Sequence, residues 1–484
     1  MLADGAAAVP DQSEDMPRTS APERTSEKQQ SQDEDPAPDA HAHAHACPAT
    51  ASPPDTSAPP NGGCWAWIQV AAAFSIFFNT WGVLNTFGIF QTYYEGGALF
   101  RESSSNISWI GSIQAYCVLV VGLVSGPIYD RGHLRLLVLT GSSLLVLGFM
   151  MLSICRTFWQ ALLAQGFCIG IGAGCLFVPS LALLPTYFGT RIGLAVGIAA
   201  SGSSLGGVVY PIIFYKLIGA VGFGWTVRAI GFIALATLAV PLCFARMRVK
   251  PSRARAVLDW SALTDWPYVF FVVSTLIGFV GLYVVLFYIS YFGAATGIAS
   301  SEMSFYLVPI LNAASMFGRT LPNAVSDKIG PFNLFGPAAV VCAVLTFCLV
   351  AVESLGGVVA IAALYGFFSG VFIAIPGVCF VRLTRDKSKL GTRIGMGFAA
   401  FGFGVLAGGP GGGHVLGTNR AHLDWDSVWV YGGSSKEICG CAGARLRPTF
   451  QQTSGSSAAS PSSDKKGFGG TWQQGFGHIQ HISQ

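Results

Sequence analysis

Arg319 lies deep within residues 303–325, an apolar run long enough to cross a membrane. It is the one ionisable side chain placed so deep, with Arg228 a marginal second. A cation inside a bilayer costs roughly 3 kcal/mol on insertion scales and normally marks a function. The chemistry open to a buried guanidinium is the binding of an anion, and we interpret Arg319 in that way. The alternative is a cytosolic anchor whose charge snorkels to the surface, since Asp327 follows only two turns later.

Uncharged polar residues in other apolar runs could complete a cavity around Arg319. The candidates are Asn79, Asn85, Tyr283, Asn312 and Tyr365. After residue 60 every acidic residue falls in a loop or at the end of an apolar run. We therefore expect no carboxylate in mid-membrane that could carry a proton.

Other kinds of chemistry find no support in the sequence. No nucleophile–base pair and no cluster of metal ligands occurs in any apolar run or loop, which argues against an enzyme. Residues 41–47 (HAHAHAC) are rich in histidine, but nothing there fixes a coordination geometry, and we expect no metal. No Walker lysine motif is present. The expected partners are a small-molecule substrate and the lipid bilayer, with no cofactor and no nucleic acid.

The composition indicates a membrane protein. Hydrophobic residues make up 52% of the 484 residues and charged residues only 11%, against about 25% charged in soluble domains. A span needs about 20 mostly apolar residues, and a lone segment in lipid must be helical to satisfy its own backbone. Eleven such runs occur, near residues 65–92, 107–128, 134–154, 158–187, 192–218, 226–245, 266–292, 303–325, 332–352, 357–381 and 394–417. The predicted fold is an all-α polytopic membrane protein with six spans followed by five.

Basic residues set the expected orientation. If the N-terminus is cytosolic, the inner loops hold fourteen Lys and Arg residues and the outer side holds five. This asymmetry favours an N-terminus inside the cell. We expect a multi-pass protein of the plasma membrane, acting as a monomer.

Charge and apolar content divide the chain into five segments. The first carries eleven acids against three bases and too few apolar residues to fold alone. The last contains no window of span length, so a twelfth span is apparently missing and the tail is expected outside. The predicted order is a disordered acidic cytosolic arm (1–60), a bundle of six spans (61–245), a basic cytosolic linker (246–265), a bundle of five spans (266–433) and a low-complexity tail (434–484).

Two motifs recur about 200 residues apart. The pentapeptide GTRIG occupies residues 189–193 and again 391–395, each time before an apolar glycine-rich run. The loop after the second run and the loop after the eighth also match, at Asp130-Arg131 and Asp327-Lys328. Two motif pairs at nearly one offset indicate two copies of a six-helix unit, related by an axis along the membrane normal.

The loop motif resembles the signature of the major facilitator superfamily. That resemblance implies two pseudo-symmetric bundles and a conformational latch, in which an Asp lies against a helix N-terminus and basic residues pair across the interface of the halves. The residues implied in the latch are Gly126, Asp130, Arg131, Gly132, Asp327, Lys328, Arg191 and Arg393.

Within that superfamily, residues 60–433 resemble the fungal branch of the monocarboxylate-transporter-like family. The resemblance rests on Asn61-Gly-Gly-Cys-Trp at the first run and on Arg191 through Pro211 in the fifth. Members move lactate-like monocarboxylates in animals, and the fungal ones include transporters of riboflavin and other metabolites. Three positions depart from the family pattern: Asn61 replaces an acid, Asn85 a lysine, and Ser315 an Asp, while the arginine is kept at 319. Proton-coupled transport by the family mechanism is therefore not expected.

The sequence thus predicts a secondary transporter of small organic anions, monocarboxylate-like or riboflavin-like, that works by alternating access. Two alternatives stay open. One is an exporter of a fungal secondary metabolite. The other is a non-transporting nutrient sensor that uses the acidic arm.

Overall fold

The computed structural model describes residues 61–189, 191–248, 257–384, 389–417 and 423–455. The predicted acidic arm with its histidine-rich tract lies outside these ranges, as do residues 249–256 of the predicted linker and residues 456–484 of the predicted tail. All regular structure within the described ranges is helical. This confirms the predicted all-α membrane fold.

The helices account for every predicted apolar run. Short π or 3₁₀ segments join or extend several of them, at Leu162–Ile169, Leu184–Thr186, Trp260–Thr264 and Leu349–Ala351. The α-helices, in chain order, are Cys64–Asn79, Trp81–Asn85, Phe87–Glu95, Ser104–Asp130, Leu134–Leu152, Phe158–Ala161, Gly170–Leu183, Ile192–Phe244, Trp266–Ala295, Ser301–Ile329, Pro331–Cys348, Leu355–Ala374, Pro376–Leu383, Leu390–Leu416 and Trp425–Gly455.

Among the described residues, nine helices are long and apolar enough to cross a membrane. One of these, Ile192–Phe244, is two spans, because the chain turns at Gly222 with φ 75°, a left-handed conformation that favours glycine. Two further long helices, Ser301–Ile329 and Trp425–Gly455, are less apolar. The part of the chain that the structure describes therefore contains twelve helices of spanning length. We number them as spans one to twelve in chain order: Cys64–Glu95, Ser104–Asp130, Leu134–Leu152, Phe158–Thr186, the parts of Ile192–Phe244 before and after Gly222 (spans five and six), Trp266–Ala295, Ser301–Ile329, Pro331–Ala351, Leu355–Leu383, Leu390–Leu416 and Trp425–Gly455.

The two faces of the bundle are named here by the first span, Cys64–Glu95, which begins on the proximal face and ends on the distal face. Odd-numbered spans run from proximal to distal, and even-numbered spans return. The loop with Arg131, the end of span six and the start of span seven are therefore proximal.

The twelfth helix corrects one prediction. Residues from 434 onward were predicted to form a low-complexity tail on the outer side, whereas helix Trp425–Gly455 runs on for 31 residues, about 46 Å at 1.5 Å per residue, back toward the proximal face. It packs along spans seven and nine. One side of this helix, with Gly432, Gly433, Lys436, Cys439 and Gly440, is buried against protein, so a window of apolar residues is not required there. Ser434 and Glu437 are exposed. Glu437, which the sequence prediction placed outside any span, thus lies within the twelfth helix.

Small residues bring helices close together within the first half. A side chain at Gly202 would collide with the carbonyl oxygen of Phe74, and one at Gly206 with that of Phe78, so spans one and five touch through their backbones. Between the halves, span two packs along span eleven, span five along span eight, and span one along span seven. These three seams bring Arg319 to the interface.

Candidate functional site

Arg319 is 3% exposed and lies near the middle of the bundle. It precedes the proximal end of span eight, Ile329, by ten residues, which corresponds to about 15 Å of helix in a hydrocarbon layer of about 30 Å. Its Nε donates a hydrogen bond to Ser315 Oγ at 3.2 Å, one turn toward the distal face. The side chain therefore points away from the nearer surface, which is not the geometry of a snorkelling anchor.

The second partner of Arg319 lies in the other half of the molecule. Arg319 Nη1 donates to Ser203 Oγ of span five at 2.5 Å. The Ser203 hydroxyl in turn donates to the carbonyl oxygen of Ala200. Both side-chain partners of the guanidinium are thus neutral hydroxyls. The sequence did not single out Ser203, because one serine among many small residues carries no signal of its own.

Asn312 lies two turns before Arg319 on the same span and also faces span five. A Cβ placed on Gly207 would come within 2.5 Å of the Asn312 side chain. The Asn312 amide donates to the carbonyl oxygen of Val308 at 3.0 Å. Asn312 and Arg319 together form the surface of span eight that meets the first half.

Tyr283 is the aromatic residue that interacts with the Arg319 guanidinium. It is 2% exposed, and its hydroxyl interacts electrostatically with Arg319. Its ring meets Phe287 edge to face at 5.4 Å, and Phe287 meets Phe87 of span one in the same manner at 4.7 Å. The aromatic row thus runs from Tyr283 in the second half to Phe87 in the first.

The remaining predicted cavity residues differ in their surroundings. Asn79 is fully engaged, because its amide nitrogen donates to Ser75 and Thr237 and its oxygen accepts from Tyr210 at 2.7 Å. It joins spans one, five and six and is a packing residue in this state. Asn85, 5% exposed, has an amide nitrogen without a hydrogen-bond partner among the described residues. Such a group is costly to bury and is available to a ligand.

Tyr365 was predicted in the same cavity and lies in the core of the second half. Its hydroxyl donates to the carbonyl oxygen of Leu282, at 3.5 Å, and the side chain is fully buried. Its ring faces Lys436 of the twelfth helix, whose Nζ is 4.8 Å from the ring centroid. Tyr365 thus reaches the site only through the turn of span seven that carries Tyr283.

Lys436 is a buried cation that the sequence prediction missed. Its side chain is 0% exposed, and Phe372 is a second ring at 4.7 Å. The thiols of Cys342 on span nine and Cys439 on the same helix interact with its ammonium, and no oxygen atom among the described residues accepts a hydrogen bond from it. A signal did exist. Trp429, Gly432, Lys436 and Cys439 recur at spacings of three and four, which places them on one face of a helix.

The predicted latch is only partly visible. Asp130 is buried, Arg131 and Arg191 are exposed, and Gly132 adopts φ 95° at the end of span two. A side chain at Gly126 would meet Val178 at an ordinary 3.7 Å, so no close approach requires glycine there. The side chains of Asp327 and Lys328 lie outside the described residues.

Arg393 corrects the expectation of pairing across the halves. Its Nε lies 3.1 Å from Asp259 Oδ2, and its Nη1 lies 2.8 Å from Asp265 Oδ2, both just before span seven. Lys389 also pairs with Asp259, at 3.2 Å. Burial raises the pKa of Asp259, but hydrogen bonds from Ser261, Arg393 and Lys389 outweigh it and hold that pKa at about 2. This cluster fastens the start of span eleven to the segment before span seven, within the second half.

The distal face is closed by hydrogen bonds between the halves. The Tyr288 hydroxyl of span seven contacts Ser108 Oγ of span two and donates to the carbonyl oxygen of Gly409 of span eleven at 3.1 Å. Ser105 Oγ donates to the carbonyl oxygen of Pro410 at 3.0 Å. Together with the contact between Arg319 and Ser203, the bonds of Ser105 and Tyr288 hold the two halves together at the distal face and near the middle of the bundle.

Comparison with known proteins agrees with this architecture. The profile of the Major Facilitator Superfamily matches residues 69–409. The chain is 60% identical over 380 residues to the MFS-type transporter dbaD of Emericella nidulans, covering 78% of this chain and 85% of that protein. It is 34% identical over 385 residues to the aspyridones efflux protein apdF of the same organism, covering 78% of each chain. The solved nucleoside transporter NupG, 14% identical, matches with a TM-score of 0.63 over 78% of this chain and 99% of that one, which shows the fold alone.

Proposed function

This chain belongs to the Major Facilitator Superfamily, a family of transporters and not of enzymes, and we propose that it exports a small organic anion of the secondary-metabolite class. The anionic group binds Arg319 at the interface of the two halves. Alternating access follows if the halves separate first on the proximal face and then on the distal face, on either side of the bound anion.

The observation that carries the proposal is a buried guanidinium with neutral side-chain partners. Removing a cation from water costs several kcal/mol, and hydroxyl groups return only part of that cost. An anion offsets more of the desolvation cost than hydroxyl groups do. Charge-assisted hydrogen bonds are roughly twice as strong as neutral ones, and a carboxylate can bind a guanidinium in a bidentate manner. Arg319 therefore favours an anionic occupant over a neutral one.

The walls of the site favour a flat apolar body attached to the anionic group. Tyr283, which interacts electrostatically with Arg319, begins a continuous aromatic row that continues through Phe287 to Phe87. Aromatic rings pack against one another edge to face or offset, which adds to the gain from buried area. The substrate class is therefore an aromatic or conjugated weak acid. Asn85 supplies a free amide donor for an oxygen elsewhere on such a molecule.

The direction of transport rests on two supports. The relative apdF is named as an efflux protein. The excess of Lys and Arg in the proximal loops supports a cytosolic proximal face. We propose that substrate enters from that face and leaves at the distal one, across the plasma membrane, and that the protein works as a monomer.

The narrower specificities predicted from the sequence stay predictions. Lactate-like and riboflavin-like substrates remain to be compared with aromatic acids. The nutrient-sensor alternative depends on residues 1–60, which lie outside the described part of the chain.

Uptake into proteoliposomes tests the proposal. Vesicles with the proximal face outward should accumulate labelled salicylate, used here as a plain aromatic anion, faster than protein-free vesicles and in a saturable manner. Lactate and riboflavin serve as the competing probes. Arg319→Ala should abolish the saturable component. Arg156→Ala, which removes an exposed arginine, is the matched control and should leave it intact.

The outcomes separate cleanly. Saturable uptake of salicylate or lactate that depends on Arg319 supports the proposal, and the preferred of these two probes identifies the class of anion. A preference for riboflavin, which is uncharged near neutral pH, would contradict an anion site. Equal rates for the wild type and Arg319→Ala would remove the assigned role. The absence of saturable uptake for all three probes would argue against an organic-anion transporter.

A further inference from the structure

Lys436 is buried near the middle of the bundle without an anionic partner. It follows the distal start of the twelfth helix, Trp425, by eleven residues, which corresponds to about 17 Å of helix. No carboxylate among the described residues forms an ion pair with it. Instead its ammonium lies against the faces of Tyr365 and Phe372, both on span ten, in cation–π geometry. A buried charge of this kind in a membrane span normally marks a function.

Span ten carries this contact on to the turn that holds Arg319. A Cβ on Gly370 would lie 2.6 Å from the carbonyl oxygen of Ser315 and 2.9 Å from its Oγ. Gly366 approaches the carbonyl oxygen of Leu311 in the same manner. The position of span ten therefore sets the position of Ser315, the hydrogen-bond partner of Arg319 within its own helix.

Span seven is held by the same two helices. A side chain on Gly281 would collide with the carbonyl oxygen of Gly432 and would lie 2.9 Å from Lys436 Cγ. The next residue, Leu282, accepts the hydrogen bond from the Tyr365 hydroxyl. The residue after that is Tyr283, the aromatic neighbour of Arg319. The twelfth helix and span ten thus hold the single turn of span seven that presents Tyr283.

We propose that Lys436 is a positioning residue for the anion site, acting through Tyr365 on span ten and on the turn of span seven that carries Tyr283. The inference rests on the proposed role of Arg319. It also gives the twelfth helix a part in substrate binding, although that helix does not contact the guanidinium. A misplacement of about 1 Å at a binding group can cost as much as 100-fold in rate, so a positioning effect is measurable.

The test replaces the ammonium by an uncharged side chain of similar length, Lys436→Met. We expect the KM for salicylate to rise about tenfold while kcat stays within about twofold. The melting temperature in detergent should be unchanged or higher, because exchanging an unpaired buried charge for an apolar group is often neutral or stabilising. A merely structural lysine would instead lower the melting temperature and the amount of folded protein, with the KM unchanged.

A double-mutant cycle checks the route through Tyr365. If Lys436 acts through that ring, Tyr365→Leu should add little to the KM of Lys436→Met, whereas independent effects would multiply. Ile438→Ala, on the exposed side of the same helix, is the matched control and should leave the KM unchanged.

Failure of this inference differs from failure of the proposed function. If Arg319→Ala abolishes saturable uptake but Lys436→Met leaves the KM unchanged, the positioning role is wrong and the anion site stands. If Arg319→Ala has no effect, both are wrong.

Discussion

Replacing Ser203 by alanine should tighten the binding of an anionic substrate. In this state Ser203 Oγ accepts a hydrogen bond from Arg319 Nη1 across the interface of the halves. An anion that binds Arg319 must displace that hydroxyl. Ser203→Ala removes the competitor from the empty site and leaves the guanidinium with one side-chain partner fewer, so the empty state is destabilised relative to the occupied one.

The size of the effect follows from the strength of that bond. A hydrogen bond to a charged group contributes about 1.5–3 kcal/mol net. Each 1.4 kcal/mol corresponds to about tenfold in affinity. If the whole contribution were returned on binding, the Kd would fall by about 10- to 100-fold. Because the freed guanidinium relaxes in part, we expect the lower end, about tenfold.

Ser315→Ala is the matched control for this measurement. Ser315 also accepts from Arg319, but it lies on the same helix, so the contact can persist when the halves separate. Its loss should change the Kd by less than about threefold, since both the empty and the occupied states lose the same bond. The assay is equilibrium binding of labelled salicylate to purified protein in detergent. An unchanged Kd for Ser203→Ala would show that the serine does not compete with the substrate, and a higher Kd would show that it is a ligand of the substrate.

Three further predictions follow from other parts of the molecule. Gly207→Val should abolish transport although the variant reaches the membrane in normal amounts, because the valine side chain would displace Asn312 at the interface of the halves. Adding Asn312→Ala to Gly207→Val should restore part of the transport rate. Full activity of Gly207→Val alone would contradict this. Thermal stability in detergent should fall as the pH drops from about 4 toward 2. The pKa of Asp259 is held at about 2 in the folded protein, so the ionised carboxylate stabilises the fold above the ordinary pKa of an aspartate and this stabilisation is lost as the pH falls toward the lowered pKa. Asp259→Asn should flatten that pH dependence, and an unaltered slope would contradict the role of the Asp259 cluster. Uptake should move few protons, because no carboxylate among the described residues pairs with Arg319, and Glu437 lies on the exposed side of the twelfth helix; a stoichiometric pH change recorded with a dye inside the vesicles would show that prediction to be wrong.

The sequence was sufficient to predict the fold wherever a helix faces lipid. Eleven apolar runs became helices, because each helix exposed to lipid must be apolar on most of its surface. The twelfth helix was missed because much of its surface faces protein, and it therefore lacks the apolar run by which a helix exposed to lipid is recognised. Its polar residue Lys436 faces the rings of Tyr365 and Phe372, where protein replaces lipid as the surroundings. Hydropathy measures the preference for lipid and carries no information about which helix a side chain will meet.

The candidate site shows the same division. Arg319 could be found because a lone charge in an apolar run is rare and costly. Ser203 could not, since its importance depends on the packing of span five against span eight. Asn79 was chosen on residue type alone, and the structure shows its amide bonded to Ser75, Thr237 and Tyr210. The partners of Arg393 could not be predicted either, because Asp259 and Asp265 are far from it in sequence and belong to no motif that links them to it.

The role of Arg319 in substrate binding is tested most directly by measuring the affinity of the purified protein for an anion with and without that arginine. Equilibrium binding of labelled salicylate is independent of transport direction, coupling and vesicle orientation. We expect Arg319→Ala to weaken binding by at least about 30-fold, since truncating one partner of a buried charge pair costs about 2–5 kcal/mol. Arg156→Ala should bind like the wild type. Equal affinities for the wild type and Arg319→Ala would show that Arg319 does not bind the substrate.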